Sequence, residues 1–432
     1  MNDKELLREC VTYFKQNKGF DRVFQQIRDK YKSLGTMGGT VRIAKLTSYE
    51  KEALTGFLKK DYLNKESAVI HVKAFQGALE KTKFKDISFE DVLNSYYMEE
   101  IQSNRYVREQ YELRRTRFFC TCIEAYEDTP ASKWLETIFA TGENAYKTLV
   151  RRYDVDQKKL KIEIDTVCRA INHLPYRIGE KQSLPIFATK ITRDPHAFDM
   201  NSPCGQLLLY GVSFLLGIKM PAHAQERAEA LYQTGILVDE ISNFVLCAGL
   251  TGYNKTGLHP GWDGFGRSCE PIYASLINLS KLETIRSTTG MVCVVENPSV
   301  FLTVLDSNVS RPVPLVCTYG NLKLACFVLL DMLAKEGTQI FYSGDFDPEG
   351  LAIADALKNR YKDQLTLWRY TKHDYLSALS DKSLSPLRIK KLDGIKDESL
   401  KSLSLDIKQK MRAGYQEMII DKLIEDIGRW NF

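Results

Sequence analysis

Residues 339–350 have the sequence QIFYSGDFDPEG, which leads from an apolar stretch into two aspartates separated by one residue. Gln339–Tyr342 predicts a buried strand, and Leu351–Tyr361 predicts the helix that follows. Because side chains at positions i and i+2 of a strand project to the same side, Asp345 and Asp347 are expected to face one point. This stretch therefore predicts a strand that brings two carboxylates to the edge of a sheet.

Strands and helices alternate on both sides of this stretch. Met291–Val295 is an unbroken apolar run, which is typical of a strand covered on both faces, and it leads directly into Glu296. Further strands are predicted at Pro314–Cys317 and Leu365–Trp368, with a helix at Leu322–Ala334 between them. Strands that alternate with helices indicate a parallel sheet with helices on both faces. The fold class expected for the C-terminal third is therefore α/β, with a parallel, Rossmann-like sheet.

Three carboxylates follow the strands of this predicted sheet. Open α/β sheets bind ligands outside the carboxyl ends of their strands, and Glu296 follows one such end while Asp345 and Asp347 follow another. If these strands are neighbours, the three acids converge, and two like charges about 4 Å apart repel by roughly 4 kcal/mol at an effective dielectric near 20. A cation removes this repulsion, and oxygen ligands favour Mg²⁺ or Mn²⁺. The alternative, that acids after strands are helix N-caps, explains Asp347 but not Glu296.

The chain also contains motifs in a characteristic order, which are Asp194-Pro195-His196-Ala197-Phe198-Asp199, Asp239-Glu240-Ile241-Ser242, Glu296-Asn297-Pro298, Gly344-Asp345-Phe346-Asp347-x-x-Gly350, and Trp368-Arg369 followed by Asp374-Tyr375-Leu376. The order strand–Glu, strand–Gly, strand–Asp-x-Asp resembles the Toprim domain of topoisomerases, primases and related nucleases. More specifically, the motifs resemble the JetD family, the Toprim subunit of Wadjet plasmid-defence systems. The similarity is strong after residue 286 and looser before about residue 190.

This resemblance implies a metal-dependent DNA endonuclease that uses Mg²⁺ or Mn²⁺ and is related in architecture to the A subunit of topoisomerase VI. It implies a homodimer that cleaves closed circular double-stranded DNA beside an SMC-like ATPase complex with kleisin-type subunits. Glu296, Asp345 and Asp347 carry over as catalytic residues and metal ligands because they match the motifs position by position. Glu349 carries over as an outer-shell or second-metal acid.

The nucleophile is a point on which the sequence departs from the topoisomerase pattern. Topoisomerase relatives use a tyrosine in an Arg-x-x-Tyr context, and none of the 22 tyrosines has a convincing counterpart. We therefore expect hydrolysis by metal-activated water. The alternatives are a topoisomerase-like enzyme with a covalent tyrosyl intermediate and a non-catalytic Toprim DNA clamp. A primase is disfavoured because no zinc-ribbon or helicase-docking module is visible, and a phosphatase of the HAD type because its D-x-D follows the first strand of its domain.

The N-terminal region is predicted to be mostly helical and winged-helix-like. The first 35 residues have the apolar spacing of one helix. Thr47 with Glu50 makes a capping box that begins another helix, and short strands are predicted at Val41–Ile43 and Val69–Val72. The pattern from Ile87 to about Val155 is helical throughout.

Basic side chains flank an acidic centre. Residues 1–200 contain 35 basic and 29 acidic side chains (+6), residues 201–350 contain 9 and 14 (−5), and residues 351–432 contain 16 and 12 (+4). This distribution suits a cation-binding centre with a polyanion held around it, although ordinary solvated faces explain it too. The residues predicted to contact DNA phosphates are Arg114, Arg115, Arg117, Arg151 and Arg152. The alternative for them is a solvated helix face that pairs with nearby acids.

The length of 432 residues predicts two or three domains. We expect a DNA-binding region at 1–160, a middle helical region at 161–285 that contains an interdomain joint at Gly249–Pro271, and the Toprim domain with C-terminal helices at 286–432. No apolar run reaches the roughly 18 residues that span a bilayer, and no secretion signal is visible. The ten scattered cysteines fit a reducing compartment. A cytoplasmic protein without membrane contact is therefore expected.

Overall fold

The computed structural model describes residues 3–307, 313–320 and 322–430. The chain forms two compact units, which are divided between Ala125 and Tyr126. The boundaries predicted near residues 160 and 285 both lie inside the second unit. The division into three domains therefore stays a prediction.

The first unit consists of helices and a two-stranded sheet. Its elements are α1 (Asp3–Gln16), a 3₁₀ helix (Lys18–Phe20), α2 (Asp21–Leu34), β1 (Thr40–Ala44), α3 (Ser48–Leu58), β2 (Ser67–His71), α4 (Val72–Leu79), α5 (Phe89–Tyr97) and α6 (Asn104–Glu124). β1 and β2 are antiparallel, with Thr40 opposite His71. The mostly helical character predicted for the N-terminal region is confirmed, and its winged-helix-like assignment stays a prediction.

The first 35 residues form two helices, and the prediction of a single helix is wrong. The Asn17 side chain accepts a hydrogen bond from Gly19 N and ends the first helix in a 3₁₀ turn. Gly19 lies so close to α3 that a Cβ there would be 2.4 Å from the Tyr49 carbonyl oxygen. Phe14 and Phe20, on either side of the turn, pack with ring centroids 5.0 Å apart. Both helices face one aromatic core, and the apolar spacing therefore continues across the break.

The capping box predicted for α3 is confirmed. Glu50 N donates to Thr47 Oγ1 at 3.3 Å, and Thr47 N donates to Glu50 Oε2 at 2.8 Å. Each residue thus satisfies a backbone N–H of the other at the helix start, where no intrahelical acceptor is present.

The second unit begins with a helical region, which contains α7 (Pro130–Thr141), α8 (Tyr146–Val155), α9 (Gln157–Asn172), a 3₁₀ helix (Pro175–Ile178), β3 (Gln182–Ser183), α10 (Leu184–Thr192), α11 (Pro203–Leu216), α12 (Ala224–Gln233) and β4 (Ile236–Leu237). A region rich in strands follows, with β5 (Phe244–Ala248), β6 (Leu250–Asn254), β7 (Gly257–Leu258), α13 (Pro260–Ser268), β8 (Ile272–Ser275), α14 (Leu276–Leu279), β9 (Thr284–Ser287), β10 (Met291–Val295), α15 (Pro298–Ser307), β11 (Leu315–Cys317), α16 (Leu324–Lys335) and β12 (Gln339–Ser343). The chain continues with α17 (Pro348–Tyr361), a 3₁₀ helix (Lys362–Gln364), β13 (Leu365–Leu367), α18 (Lys372–Ser377), β14 (Leu379–Ser383), α19 (Pro386–Ile389), a 3₁₀ helix (Lys390–Gly394), α20 (Glu398–Lys410), β15 (Arg412–Gly414), a 3₁₀ helix (Gln416–Ile419) and α21 (Ile420–Arg429).

Six strands form the main sheet, in the order β13-β12-β10-β11-β5-β8. The first four of these strands are parallel to one another, which confirms an α/β domain. β5 and β8 are antiparallel to their neighbours, so the prediction of a wholly parallel sheet is wrong. Only β5 runs against the other five strands, and both β5 and β8 come from the region that was predicted to be helical. Mixed sheets of this kind are common.

The stretch predicted as an interdomain joint, Gly249–Pro271, is ordered within the second unit. It forms β6, β7 and α13, and β6 pairs with both β7 and β9 in a three-stranded antiparallel sheet. Its Gly252 serves close packing, because a Cβ there would lie 2.8 Å from the Trp262 ring. Within the part of the chain that the structure describes, no helix has the length and the apolar composition needed to cross a membrane.

Candidate active site

The acids predicted from the sequence follow two neighbouring strands. β10 and β12 are parallel and paired along their whole length, with Val295 opposite Ser343. Glu296 is the first residue after β10, and Asp345 is the second after β12. The condition for convergence, that the two strands are neighbours, is therefore met, and the two acids lie at the carboxyl edge of the sheet, where α/β folds bind ligands.

Glu296 reaches across to the loop after β12, where its Oε2 accepts a hydrogen bond from Asp345 N at 3.0 Å. Two glycines make room for this contact. A Cβ at Gly344 would lie 2.6 Å from Glu296 Oε2, and a Cβ at Gly350 would lie 2.3 Å from the Asp345 carbonyl oxygen. The glycines of this turn are thus required by the close approach of Glu296 and Asp345.

No basic side chain among the described residues compensates the charges of Glu296 and Asp345. Burial raises the pKa of Glu296 to about 8. The Asp345 and Asp347 carboxylates raise this pKa further, whereas the hydrogen bond from Asp345 N lowers it. Burial also raises the pKa of Asp345 to about 6; the hydrogen bond from Gln416 N opposes this rise, and the Glu417 and Asp347 charges reinforce it. Two partly buried carboxylates without a counter-charge suit a divalent cation.

The Glu296→Gln variant is expected to change the pH dependence of stability in metal-free protein. Between about pH 4.5 and about pH 8 the folded state keeps a proton on Glu296 that the unfolded state has lost. This group therefore makes the free energy of unfolding fall as pH rises through that window. The variant lacks this contribution, so its melting temperature should rise relative to that of the wild type across the window. Melting curves in EDTA measure the difference, and a difference that stays constant with pH would contradict the raised pKa.

A buried glutamine connects the two loops that carry these acids. Gln416 is 0% exposed, and its backbone N donates to Asp345 Oδ1 at 2.8 Å. Its Oε1 accepts hydrogen bonds from Glu296 N and Asn297 N, each at 3.3 Å. Its Nε2 has no hydrogen-bond partner among the described residues. Sequence reasoning missed Gln416, since nothing in the neighbouring sequence marks it as part of a site.

Backbone pairing brings this C-terminal segment to the site. Phe346 N donates to Gly414 O at 2.9 Å, and Gly414 N donates to Phe346 O at 3.1 Å. The Asn297 side chain, in the loop after β10, also donates to Glu417. Gly414 and the residues that follow it therefore contact both acid-bearing loops. No local sequence pattern could have predicted these contacts, because the partners are far apart in the chain.

Asp347 and Glu349 are bound by basic side chains. Asp347 Oδ1 caps α17 by accepting from Gly350 N at 2.8 Å, as the N-cap interpretation expects. Its Oδ2 accepts from Arg388 Nη2 at 2.5 Å. Glu349 accepts from Arg388 Nη2 at 2.6 Å and from Lys391 Nζ at 2.8 Å. Although burial acts in the opposite direction, the hydrogen bonds from Arg388 and Lys391 lower the pKa of Glu349 to about 2.

The convergence predicted for three carboxylates is therefore only partial. In the described ranges 3–307, 313–320 and 322–430, no group of three or more His, Cys, Asp or Glu side chains is placed to hold a metal ion. Glu296 and Asp345 meet, whereas Asp347 pairs with Arg388. The oxygen donors of Glu296 and Asp345, without any counter-charge, fit Mg²⁺ or Mn²⁺. The roles of Asp347 and Glu349 as metal ligands stay predictions, which compete with their ion pairs.

The first cluster of predicted DNA-binding arginines lies on α6 in the first unit. Arg114 and Arg117 are exposed, and Arg115 packs over the Tyr111 ring at 5.3 Å from its centroid. The nearby acids Glu109 and Glu112 pair with other arginines of the same helix. The phosphate contacts of this cluster stay a prediction.

The second pair of predicted DNA-binding arginines lies on α8. Arg151 is exposed, but the side chain of Arg152 is only 18% exposed. Arg152 Nη1 donates to Glu163 Oε2 at 3.1 Å and to Pro203 O at 3.2 Å, and Nη2 donates to Gln206 at 3.2 Å. These contacts connect α8 with α9 and α11 and give Arg152 a structural role, so its predicted contact with DNA phosphates stays a prediction that competes with them.

Comparison with protein families finds two matches, which together include most of the chain. Residues 37–252 match the family described as "Protein of unknown function N-terminus (DUF3323)", and residues 272–427 match "Protein of unknown function C-terminus (DUF2399)". The second match contains Glu296, Asp345, Arg388 and Gln416. A search of curated proteins finds no match. Because the first match spans 216 of 432 residues, half of the chain, the protein belongs to the DUF3323 family and carries a DUF2399 region towards its C-terminus.

Proposed function

We propose that the chain is a metal-dependent DNA endonuclease subunit of the JetD type, acting in a Wadjet-type anti-plasmid complex. The combination of DUF3323 and DUF2399 supports this, because it is the domain pair of JetD-type subunits. The α/β sheet with acids at its carboxyl edge supports the Toprim-type assignment of residues 286–432. In this role the chain would be a cytoplasmic homodimer that cleaves double-stranded plasmid DNA beside an SMC-like ATPase complex with kleisin-type subunits.

The observation that carries this proposal is the pairing of Glu296 with Asp345. The two carboxylates belong to adjacent parallel strands, are linked by the hydrogen bond from Asp345 N, and have no basic partner among the described residues. Two acids kept in such a position lower the stability of the metal-free protein, because burial disfavours their charged forms. A bound divalent cation would offset this loss of stability, which explains why two such acids lie at this position.

The side chains of this site would hold a divalent cation and orient the carboxylates that bind it. Glu296 and Asp345 would hold Mg²⁺ or Mn²⁺, which supplies Lewis acidity for activating water and offsetting charge on the phosphodiester. Gln416 fixes the Asp345 carboxylate through its backbone N and fixes the start of the Glu296 loop through Oε1. Arg388 keeps a positive charge at the same edge of the sheet, beside Asp347.

Cleavage is expected to leave no protein attached to DNA, because the two tyrosines whose hydroxyls lie beside the Gly344 turn are enclosed. The hydroxyls of Tyr342 and Tyr370 each lie 2.7 Å from the position of a Cβ on Gly344, and these residues are 0% and 7% exposed. Burial raises both pKa values well above the ordinary tyrosine value, which leaves neither side chain suited to attack a phosphodiester. Reactions stopped with detergent and analysed for protein on either DNA end test this expectation. A covalent tyrosyl–DNA adduct would contradict it and favour the topoisomerase-like alternative.

Replacing Arg114, Arg115 and Arg117 together with alanine should weaken binding to any DNA duplex to about the same extent. Phosphate contacts position a protein without reading sequence, and each lost contact lowers the salt slope of binding by about 0.9. The matched control replaces Arg105 and Arg108, which lie on the same helix but already pair with Glu109 and Glu112. Titrations across salt concentrations measure both slopes. An unchanged slope in the triple variant would assign the cluster to a solvated helix face.

The proposed activity is tested with supercoiled plasmid, the purified chain and Mn²⁺. We expect conversion to nicked or linear DNA, and we expect EDTA to stop it. The same assay in the presence of an SMC-like complex from the same source tests the partner assignment, because the partner should increase cleavage of circular DNA. Intact plasmid in both assays at saturating protein would contradict the endonuclease proposal.

A further inference from the structure

The acids at the edge of the sheet divide into two pairs with different electrostatic surroundings. Glu296 and Asp345 have no basic partner among the described residues. Asp347 and Glu349, which follow within four residues of Asp345, are both bound by the Arg388 guanidinium. Arg388 thus contacts the two acids that would bind a second cation if all four acids were metal ligands.

Arg388 is held firmly by these acids. Its Nη2 donates to Asp347 Oδ2 at 2.5 Å and to Glu349 Oε2 at 2.6 Å, and its Nε donates to Glu349 Oε2 at 3.1 Å. Lys391 supports the arrangement by donating to Glu349 Oε1 at 2.8 Å. A guanidinium fixed by two carboxylates is pre-oriented, so little conformational freedom remains to be lost when it binds a further group.

The guanidinium also keeps donors for a further ligand. Its side chain is 32% exposed, and no hydrogen bond to the described residues involves Nη1. Arginine presents its N–H groups in a planar fork that matches the oxygens of a phosphate. A part-exposed guanidinium of this kind, at the same edge of the sheet as Glu296 and Asp345, suits an anionic group that also contacts a bound cation.

We propose that the site holds a single divalent cation, at Glu296 and Asp345, and that Arg388 takes the place of a second cation and binds the phosphodiester to be cut. Asp347 and Glu349 then act as positioning residues for Arg388, not as metal ligands. This inference rests on the proposed endonuclease function. The competing arrangement is a two-cation site, in which Asp347 and Glu349 release Arg388 and bind a metal ion.

The test combines Mn²⁺ titration by calorimetry with plasmid cleavage, in the full-length chain and two variants of Arg388. Arg388→Met removes the charge at nearly constant length, and Arg388→Lys keeps the charge but loses the fork. The matched control is Arg360→Met, because the Arg360 side chain is 31% exposed and is likewise held by two acids, Glu229 and Asp331. That control lies on α17, away from the acid-bearing loops.

We expect the wild type to bind one Mn²⁺ ion per chain. Arg388→Met should keep that affinity but lose about 10²- to 10³-fold in cleavage rate, which is the usual effect of removing a donor that stabilises transition-state charge. Arg388→Lys should recover part of the rate, and Arg360→Met should behave as the wild type does. If Arg388 were merely structural, both variants would lose Mn²⁺ affinity together with activity.

Two results would overturn the inference while leaving the endonuclease proposal intact. One is the binding of two Mn²⁺ ions by the wild type, and the other is wild-type cleavage by Arg388→Met. A wild type that neither binds Mn²⁺ nor cleaves DNA would overturn the endonuclease proposal itself, and the inference with it. Should Arg388→Met fail to fold, Arg388→Lys still distinguishes the two arrangements, because a two-cation site does not need the guanidinium fork.

Discussion

Glu296→Gln is expected to lower plasmid cleavage by about 10³-fold or more, while the folded structure is retained. The amide can still accept the hydrogen bond from Asp345 N, but it carries no charge to hold a cation. The amide also removes the cost of keeping an ionisable carboxyl buried beside Asp345, so the metal-free variant should be at least as stable as the wild type. Cleavage assays with Mg²⁺ and with Mn²⁺, together with melting curves in EDTA, measure both effects.

The matched control for this variant is Glu283→Gln, which changes an exposed glutamate of the same unit that precedes β9, a strand of the separate three-stranded sheet. It should cleave DNA at the wild-type rate. Wild-type cleavage by Glu296→Gln would show that the carboxylate is not needed, and the assignment of the active site would then be wrong. A large loss of stability in Glu296→Gln would instead show that the acid has a structural role.

Gly350→Ala should destabilise the protein and abolish cleavage. A Cβ at this position would lie 2.3 Å from the Asp345 carbonyl oxygen and 3.2 Å from Glu296 Oε2. The backbone oxygen belongs to the loop that positions Asp345, so the clash moves the site itself. Overpacking of this kind costs about 1–3 kcal/mol. Chemical denaturation measures the loss of stability, and plasmid cleavage measures the loss of the site.

Gly428 in α21 provides the control for that variant, because a Cβ there would have no atom within 4 Å. Alanine is preferred over glycine inside helices by up to about 1 kcal/mol, so Gly428→Ala should be neutral or stabilising. The two substitutions are chemically identical and both lie in helices, but they have opposite expected signs. Stabilisation by Gly350→Ala would mean that the loop after β12 is not as tightly packed as the structure has it.

The sheet and its two central acids could be predicted from sequence because their signals are local. Met291–Val295 is apolar throughout and forms β10 with the predicted bounds. The rule that open α/β sheets bind ligands outside the carboxyl ends of their strands indicated the residues after β10 and β12 as a candidate site. The capping box of α3 is equally local, since both of its residues lie within one helical turn.

The remaining features depend on contacts between distant parts of the chain. Gln416 reaches the Glu296 loop across 120 residues, and Arg388 reaches Asp347 across 41. Neither residue has a neighbouring pattern that marks it. β5 shows the same limit, because its apolar sequence gives no indication that it joins the sheet antiparallel beside β11. Asp347 shows that two functions can fit one local pattern, since the same residue is an N-cap and was predicted as a metal ligand.

The central claim, that Glu296 and Asp345 bind a divalent cation, is tested most directly by anomalous X-ray scattering from crystals of the full-length chain soaked in Mn²⁺. The account predicts an anomalous peak in contact with carboxylate oxygens of Glu296 and Asp345, with Arg388 still paired with Asp347. The Glu296→Gln variant should lose this peak under the same soaking conditions. A wild-type map without a peak at these two residues, at a Mn²⁺ concentration that supports cleavage, would contradict the account.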